Sequence, residues 1–381
     1  MSRTLRTCLV GVALILAPGA GKAQDNARAS VAVPKNDSGE PFLRVELRIP
    51  MRGAGTRGLE ALLVRPNQPG RFPLVLISHG TPILPAQRRE MTPLAFVPHA
   101  MEFARRGWAA LIVMRRGYGD SAAEYSETAG TCARADYLKS ARASSQDLHA
   151  AVRAMSRRED IDVGRILAVG TSGGGFASVA FGAEPVPGLA GVISFAGGRS
   201  ALQSSPRCNE PRLIQAYRAF GKRSRVPMLW IYAENDRWFG PEFANQLRTA
   251  FTSAGGKLDF LMLSPFEQDG HAIFSPRGIP VWAPHLDEFL KKQKLAVRED
   301  LLPLPQPDVG LLQQMPKSHH RAFHDYLVHA PHKAFAMSAG GAYDWRSGRR
   351  TVEAAKADAL AECAKRATDC RVVVVDEEVV R

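Results

Sequence analysis

Five residues in this chain of 381 have the types and the order needed for acyl transfer. Gly170-Thr171-Ser172-Gly173-Gly174 fits G-x-S-x-G, directly after an apolar run (RILAVG) and before a helical one (FASVAF). A serine held in a tight strand-to-helix turn needs small neighbours, because the backbone passes close by, and it stands at the positive end of the next helix. The competing reading is a glycine-rich turn that happens to hold a serine; the flanking strand and helix weigh against it. A serine hydroxyl is a poor nucleophile without a base. His271, in Asp269-Gly270-His271 after the run LDFLML, is the candidate base, and Asp236, in Glu234-Asn235-Asp236 after PMLWIY, is the acid that would orient it. Glu234 is the alternative acid; Asp269 is disfavoured because it adjoins the histidine. Alone, His271 would read as a surface or core histidine, but the three positions agree in order and strand context. An oxyanion needs two N–H donors. The Gly173 amide is one. Thr81, in His79-Gly80-Thr81 after LVLIS, is the expected other, since Pro82 has no N–H. His79 itself reads as structural.

The elements that must position these residues follow an α/β pattern. Leu59–Arg65, Leu74–Ser78, Trp108–Met114, Arg165–Gly170, Gly191–Phe195, Pro227–Tyr232 and Leu258–Leu263 are short apolar runs expected to be strands. Being continuous, not alternating, they fit strands covered on both faces, as in a parallel sheet. Pro98–Arg106 and Ser144–Arg157 are expected helices, the second with Ser144 as N-cap and Asp147 three residues on, a capping box with Asp in place of Glu. The pattern stops near Lys294. Residues 301–316 hold four prolines and read as a linker or ordered crossing segment. A second small unit comes next: Ala334–Ser338 as strand, Thr351–Ala367 as helix with Thr351 as N-cap, and Arg371–Val375 as strand. The expected division is 1–23 signal peptide, 24–41 polar lead, 42–294 catalytic α/β domain, 295–316 Pro-rich linker and 317–381 C-terminal α+β module.

The start of the chain reads as a secretory signal: Arg3 and Arg6, ten apolar residues from Cys8 to Ala17, then the small-x-small site Gly21-Lys22-Ala23. Ten apolar residues are too few for a membrane-spanning helix, which leaves an uncleaved anchor as the weaker reading, and no later run reaches 18. The mature chain is therefore expected to be periplasmic or secreted, with no transmembrane segment. Cleavage would remove three basic residues and no acid, lowering the formal charge from +13 to +10. It leaves Cys132, Cys208, Cys363 and Cys370, which can pair in three ways. Export permits disulfides, and Cys132–Cys208 with Cys363–Cys370, one bridge in each half, is the expected pairing; the alternative is free buried thiols. The positive charge does not point to nucleic acid, because it is spread over loops without a recognition motif or an aromatic-basic platform.

Taken together, HGTP (His79–Pro82), RRGYGDS (Arg115–Ser121), GTSGG (Gly170–Gly174), AEND (Ala233–Asp236) and DGH (Asp269–His271) resemble the α/β-hydrolase superfamily, and within it the dienelactone hydrolase and prolyl-oligopeptidase-like group. The resemblance covers residues 42–294. It implies a mostly parallel central sheet with helices on both faces, and a two-step Ser-His-Asp mechanism through an acyl-enzyme, with no metal or organic cofactor. Dienelactone hydrolases proper carry cysteine at the elbow; Ser172 departs from that and points to an esterase or a peptidase acting on a small ester or a short peptide. No propeller is expected ahead of the domain in this sequence. The C-terminal segment resembles a small cysteine-bearing module of exported bacterial proteins and implies no nameable chemistry.

Arg88, Arg89, Arg115, Arg116, Arg199 and Arg237 fall in loops expected at the carboxyl ends of strands, where substrate binds in such sheets. Free guanidinium groups there would select an anionic substrate; Arg199, Arg237 and Trp238 are the candidate substrate contacts. The opposing reading is structural pairing, above all for Arg116, or solvated surface. Five of the ten histidines lie in 319–332, and His320 and His324 have an i, i+4 spacing that can bind metal; a polar surface segment is the favoured reading. A rival of another class is a non-catalytic binding protein of the cell envelope.

Overall fold

The computed structural model describes residues 41–121, 123–200, 208–304 and 309–380. The expected signal peptide (1–23) and most of the expected polar lead (24–41) lie outside the described residues. Eight strands form one sheet: β1 (Phe42–Ile49), β2 (Leu59–Pro66), β3 (Phe72–Ser78), β4 (Ala109–Val113), β5 (Ile161–Thr171), β6 (Leu189–Phe195), β7 (Met228–Ala233) and β8 (Leu258–Leu263), in the order β1-β2-β4-β3-β5-β6-β7-β8. β1, β2 and β4 pair antiparallel; β4, β3 and β5 to β8 run parallel. β3 and β4 are buried along their whole length, which explains their unbroken apolar runs. β1 is not among the expected strands. It alternates exposed Arg44, Glu46 and Arg48 with apolar residues, the pattern of an edge strand wet on one face.

Successive strand residues point to opposite faces, so the sheet feeds two cores. Leu74, Leu76, Ala168 and Trp230 pack one way, against α3 (Tyr137–Met155), α4 (Gly173–Ala183), α5 (Glu210–Arg223) and α6 (Pro241–Thr252). Val75, Ile77, Val169 and Ile231 pack the other way, against α2 (Val97–Arg105), which comes after the one-turn α1 (Gln87–Glu90), and α7 (Ile279–Lys292). α3 begins seven residues before Ser144. Asp136 is its N-cap, accepting from the Lys139 amide at 2.8 Å, while Ser144 and Asp147 are buried mid-helix, so the expected capping box is not one. Both side chains serve tertiary partners: Ser144 bonds Glu127 and Asp147 bonds Arg116. Because β3 and β5 to β8 are parallel, their carboxyl ends share one edge of the sheet, and every candidate catalytic residue lies just past one of those ends.

After α7 the chain crosses back along α2, where the Leu302 amide bonds Arg105 O at 3.0 Å. Past α8 (Val309–Gln313) and α9 (His320–Val328) comes a second sheet, β10-β9-β11-β12, of β9 (Ala334–Met337), β10 (Tyr343–Arg346), β11 (Arg371–Val375) and β12 (Glu378–Val379). Phe335 and Val374 face α9; Ala334 and Ala336 face α10 (Val352–Cys363), whose N-cap is Thr351 as expected. β10 has no strand signal in its sequence, because YDWR is half charged and only partly buried. This C-terminal segment is fastened to the eight-stranded sheet and its loops: Arg350 bonds Glu60 at 2.7 Å and Met91 O at 2.9 Å, and Thr92 donates to Gly348 O at 2.9 Å. Two disulfides are present, Cys132–Cys208 and Cys363–Cys370, the second joining the end of α10 to the start of β11.

His99, on α2, is fully buried among the rings of Phe96, Phe274 and Trp282, and burial lowers its pKa to about 4. An imidazole charges near 6.5 in the unfolded chain but only near 4 in the folded one. Its contribution is therefore complete above pH 6.5 and is lost as pH falls toward 4. Between pH 7 and 4.5 the wild type should lose on the order of 2 kcal/mol more unfolding free energy than His99→Leu. Urea titrations at the two pH values measure the difference; equal losses would refute it.

Candidate active site

Ser172 sits between β5 and α4 with φ 53° and ψ −122°, a left-handed conformation that a non-glycine residue holds only under constraint. The constraint comes from contact between backbones. A Cβ on Gly174 would lie 2.1 Å from Ser78 O, so the first turn of α4 rests directly on the end of β3. The strand order makes this possible, since β3 and β6 flank β5. The Ser172 amide donates to Phe195 O on β6 at 2.9 Å, and Ser172 O accepts from Phe176 N at 3.0 Å and Gly198 N at 3.2 Å.

Asp236 and His271 lie past the ends of β7 and β8. Asp236 is 5% exposed, and its Oδ1 accepts from the amides of Trp238 at 2.7 Å and Phe239 at 2.9 Å. Its carboxylate lies 3.1 to 3.2 Å from His271 Nδ1. A carboxylate only accepts, so Nδ1 faces it as a donor, the tautomer that in a neutral imidazole leaves the Nε2 lone pair free. Asp269 makes no hydrogen bond to the imidazole. Its Oδ1 caps the 3-10 turn Gly270–Phe274, accepting from the His271 amide at 3.0 Å. Glu234 is exposed. Ser172 and His271 line one cleft, together with Thr81, Gly173, Arg199 and Trp238. No hydrogen bond joins Ser172 to His271 among the described residues; in unliganded enzymes this contact often tightens only with substrate.

Thr81 stands beside Gly173: a Cβ on Gly173 would lie 2.5 Å from Thr81 Oγ1. Behind it, His79 is spent on structure. Nδ1 lies 2.7 Å from Gly80 O and Nε2 accepts from the Arg115 amide at 3.1 Å. Burial, with Arg115 beside it, holds the imidazole neutral and its pKa well below the usual value. A trans peptide points its C=O and N–H in opposite directions. By holding Gly80 O, His79 therefore sets the direction of the Thr81 N–H.

The arginines separate on contact with the structure. Arg115 pairs with Glu127, and both are 0% exposed. Arg116 pairs with Asp147 at 2.6 Å. Arg88 stacks on Tyr125 and Arg89 bonds Ala123 O at 3.2 Å. Arg237 is exposed and does not line the cleft. Arg199 does line it, but its Nη2 is 2.8 Å from Glu127 Oε2. Most of these guanidinium groups are held by carboxylates, rings or carbonyls, which fits the opposing reading of structural pairing. Glu127 is the residue the sequence hid. It lies in a loop without periodicity, and the two guanidinium groups that demand a carboxylate were the only signal for it. In the histidine-rich segment, His319 bonds Gly341 O at 2.8 Å and His320 bonds Met315 O at 3.0 Å; no group of three metal-ligating side chains occurs among the described residues.

Residues 59–285, which span this geometry, match the dienelactone hydrolase family. The chain belongs to the dienelactone hydrolase family. It is thus a hydrolase of the α/β-hydrolase superfamily. It is similar to solved structures of a protein assigned as a dienelactone hydrolase from Klebsiella pneumoniae (17% identity over 67% of this chain and 99% of that one, TM-score 0.47). It is also similar to an acylaminoacyl peptidase from Pyrococcus horikoshii (14% identity over 69% and 43%, TM-score 0.48), of which it spans less than half. A third is an esterase from Pyrococcus furiosus (13% identity over 66% and 90%, TM-score 0.45). These likenesses add nothing to what family membership establishes. The curated proteins contain no match.

The Gly174 contact gives a direct expectation. Gly174→Ala should cost about 3 kcal/mol of stability, the upper end for overpacking, because the new methyl would meet backbone and not a flexible side chain. Gly340→Ala, where the new methyl meets nothing nearer than 3.9 Å, should be nearly neutral. Denaturant midpoints of the two variants measure the contrast.

Proposed function

We propose that the chain is an exported serine hydrolase that cleaves carboxylic esters. The single observation that carries this reading is the strained Ser172 at the head of α4, sharing one cleft with a His271 whose Nδ1 is fixed by Asp236. His271 Nε2 takes the hydroxyl proton as Ser172 Oγ bonds to the carbonyl carbon. The amides of Gly173 and Thr81 hold the negative oxygen. The C–O bond to the leaving alcohol breaks, and the alcohol leaves with the proton from His271. Water, deprotonated by the same nitrogen, then releases the acid and restores Ser172. These roles need no cofactor.

Trp238, Phe239, Pro82 and Ile83 give the cleft an apolar wall, which favours a substrate with an apolar group next to the reacting carbonyl. The pairing of Arg199 with Glu127 leaves little support for a required anionic group. The reading keeps 42–294 as the catalytic domain, 295–316 as connector and 317–381 as a separate module. Export, with residues 1–23 removed, is supported by the two disulfides; no helix among the described residues is long and apolar enough to cross a membrane.

A fluorophosphonate probe tests the reading. The wild type should label covalently and hydrolyse short-chain p-nitrophenyl esters faster than matched anilides, and Ser172→Ala should lose labelling and at least about 10³-fold in kcat. Unchanged labelling of Ser172→Ala would defeat the proposal. Anilides cleaved as fast as esters would move it to a peptidase.

A further inference from the structure

One buried carboxylate reaches toward both sides of the oxyanion pocket without touching the cleft. Glu127 Oε2 accepts from Tyr118 Oη at 3.1 Å and from Arg199 Nη2 at 2.8 Å. Tyr118 Oη in turn lies 2.9 Å from Thr81 Oγ1, and Arg199 Nη2 lies 3.3 Å from Gly173 O. The proton inventory fixes the direction of the chain. Burial alone would push the Glu127 carboxyl up, but Arg115 and Arg199 outweigh it and hold it well below the usual carboxylate range. Glu127 is therefore ionised and only accepts. Burial pushes the Tyr118 phenol up, so it keeps its proton. A phenol has one proton; Tyr118 gives it to Glu127 and must accept from Thr81. The Thr81 hydroxyl proton thus points away from the cleft, and only the Thr81 amide remains to serve the oxyanion.

The tether matters because the chain beyond Thr81 is open to solvent. Ile83 and Leu84 are 54% and 57% exposed, so the chain turns out to solvent just past Thr81. Tyr118 also packs edge-on against the His79 ring at 4.3 Å, the ring that holds Gly80 O. We propose that Tyr118, held by Glu127, is a positioning residue of the oxyanion pocket: it fixes Thr81 through the hydroxyl so that the Thr81 amide stays aimed at the developing negative charge. This inference rests on the serine hydrolase reading above.

The test compares Tyr118→Phe and Thr81→Val, singly and combined, with wild type. The readouts are kcat and KM for p-nitrophenyl acetate and the second-order rate of fluorophosphonate labelling, which needs no natural substrate. Tyr118→Phe keeps the ring and leaves Glu127 paired with both arginines, so the protein should melt as the wild type does. Each single variant should lose about tenfold in kcat and in labelling rate, a fraction of the 10²- to 10³-fold loss on deleting an oxyanion donor, with KM unchanged within twofold. The double variant should lose no more than either single one, because both cut the same link. Single variants within twofold of wild type, losses confined to KM, or additive losses in the double variant would overturn the inference and leave the hydrolase reading standing. Activity that survives Ser172→Ala would overturn both.

Discussion

The contact between the first turn of α4 and the end of β3 is the constraint on which the site depends. It exists only because Gly174 has no side chain to separate two backbones. That contact keeps Ser172 in a left-handed conformation, with its hydroxyl on the cleft. It also brings Thr81, just past β3, beside Gly173, just past Ser172. The proposed nucleophile and oxyanion donors are therefore products of one packing event, while the proposed base and its acid arrive separately, on the loops after β8 and β7.

A second layer keeps that geometry. Glu127, Arg115, Arg199, Tyr118 and His79 are all buried at the carboxyl edge of the sheet and all bond one another or the loops that form the pocket. Removing such charges from water is costly unless each is paired and its hydrogen bonds are filled. Here one carboxylate serves two guanidinium groups, a phenol and the Ser144 hydroxyl. A network in which each donor has a specific acceptor admits few alternative arrangements, so it favours a single shape for the loops it ties together.

Much of this fold is legible in the sequence. Continuous apolar runs mark the buried strands, and the order of Ser172, Asp236 and His271 along the chain supplies the site's candidates. What stays hidden depends on contacts between residues distant in sequence. β1 alternates polar and apolar residues, a strand pattern of its own that lacks the continuous apolar run marking the buried strands. Ser144 and Asp147 resemble a helix cap because local spacing says nothing about Glu127 and Arg116, which claim their side chains. Arg199 resembles a substrate anchor for the same reason. The proposed role of Trp238 at the cleft, by contrast, needs only its place two residues after Asp236.

The Cys132–Cys208 bridge closes a covalent ring around all of α3, β5, α4 and β6, including the segment that carries Ser172 and Arg199. Asp236 and His271 lie outside that ring. The protein is thus topologically asymmetric across its own cleft. A peptide bond cut anywhere inside the ring leaves a single covalent molecule, whereas a cut between Cys208 and His271 severs Ser172 from His271.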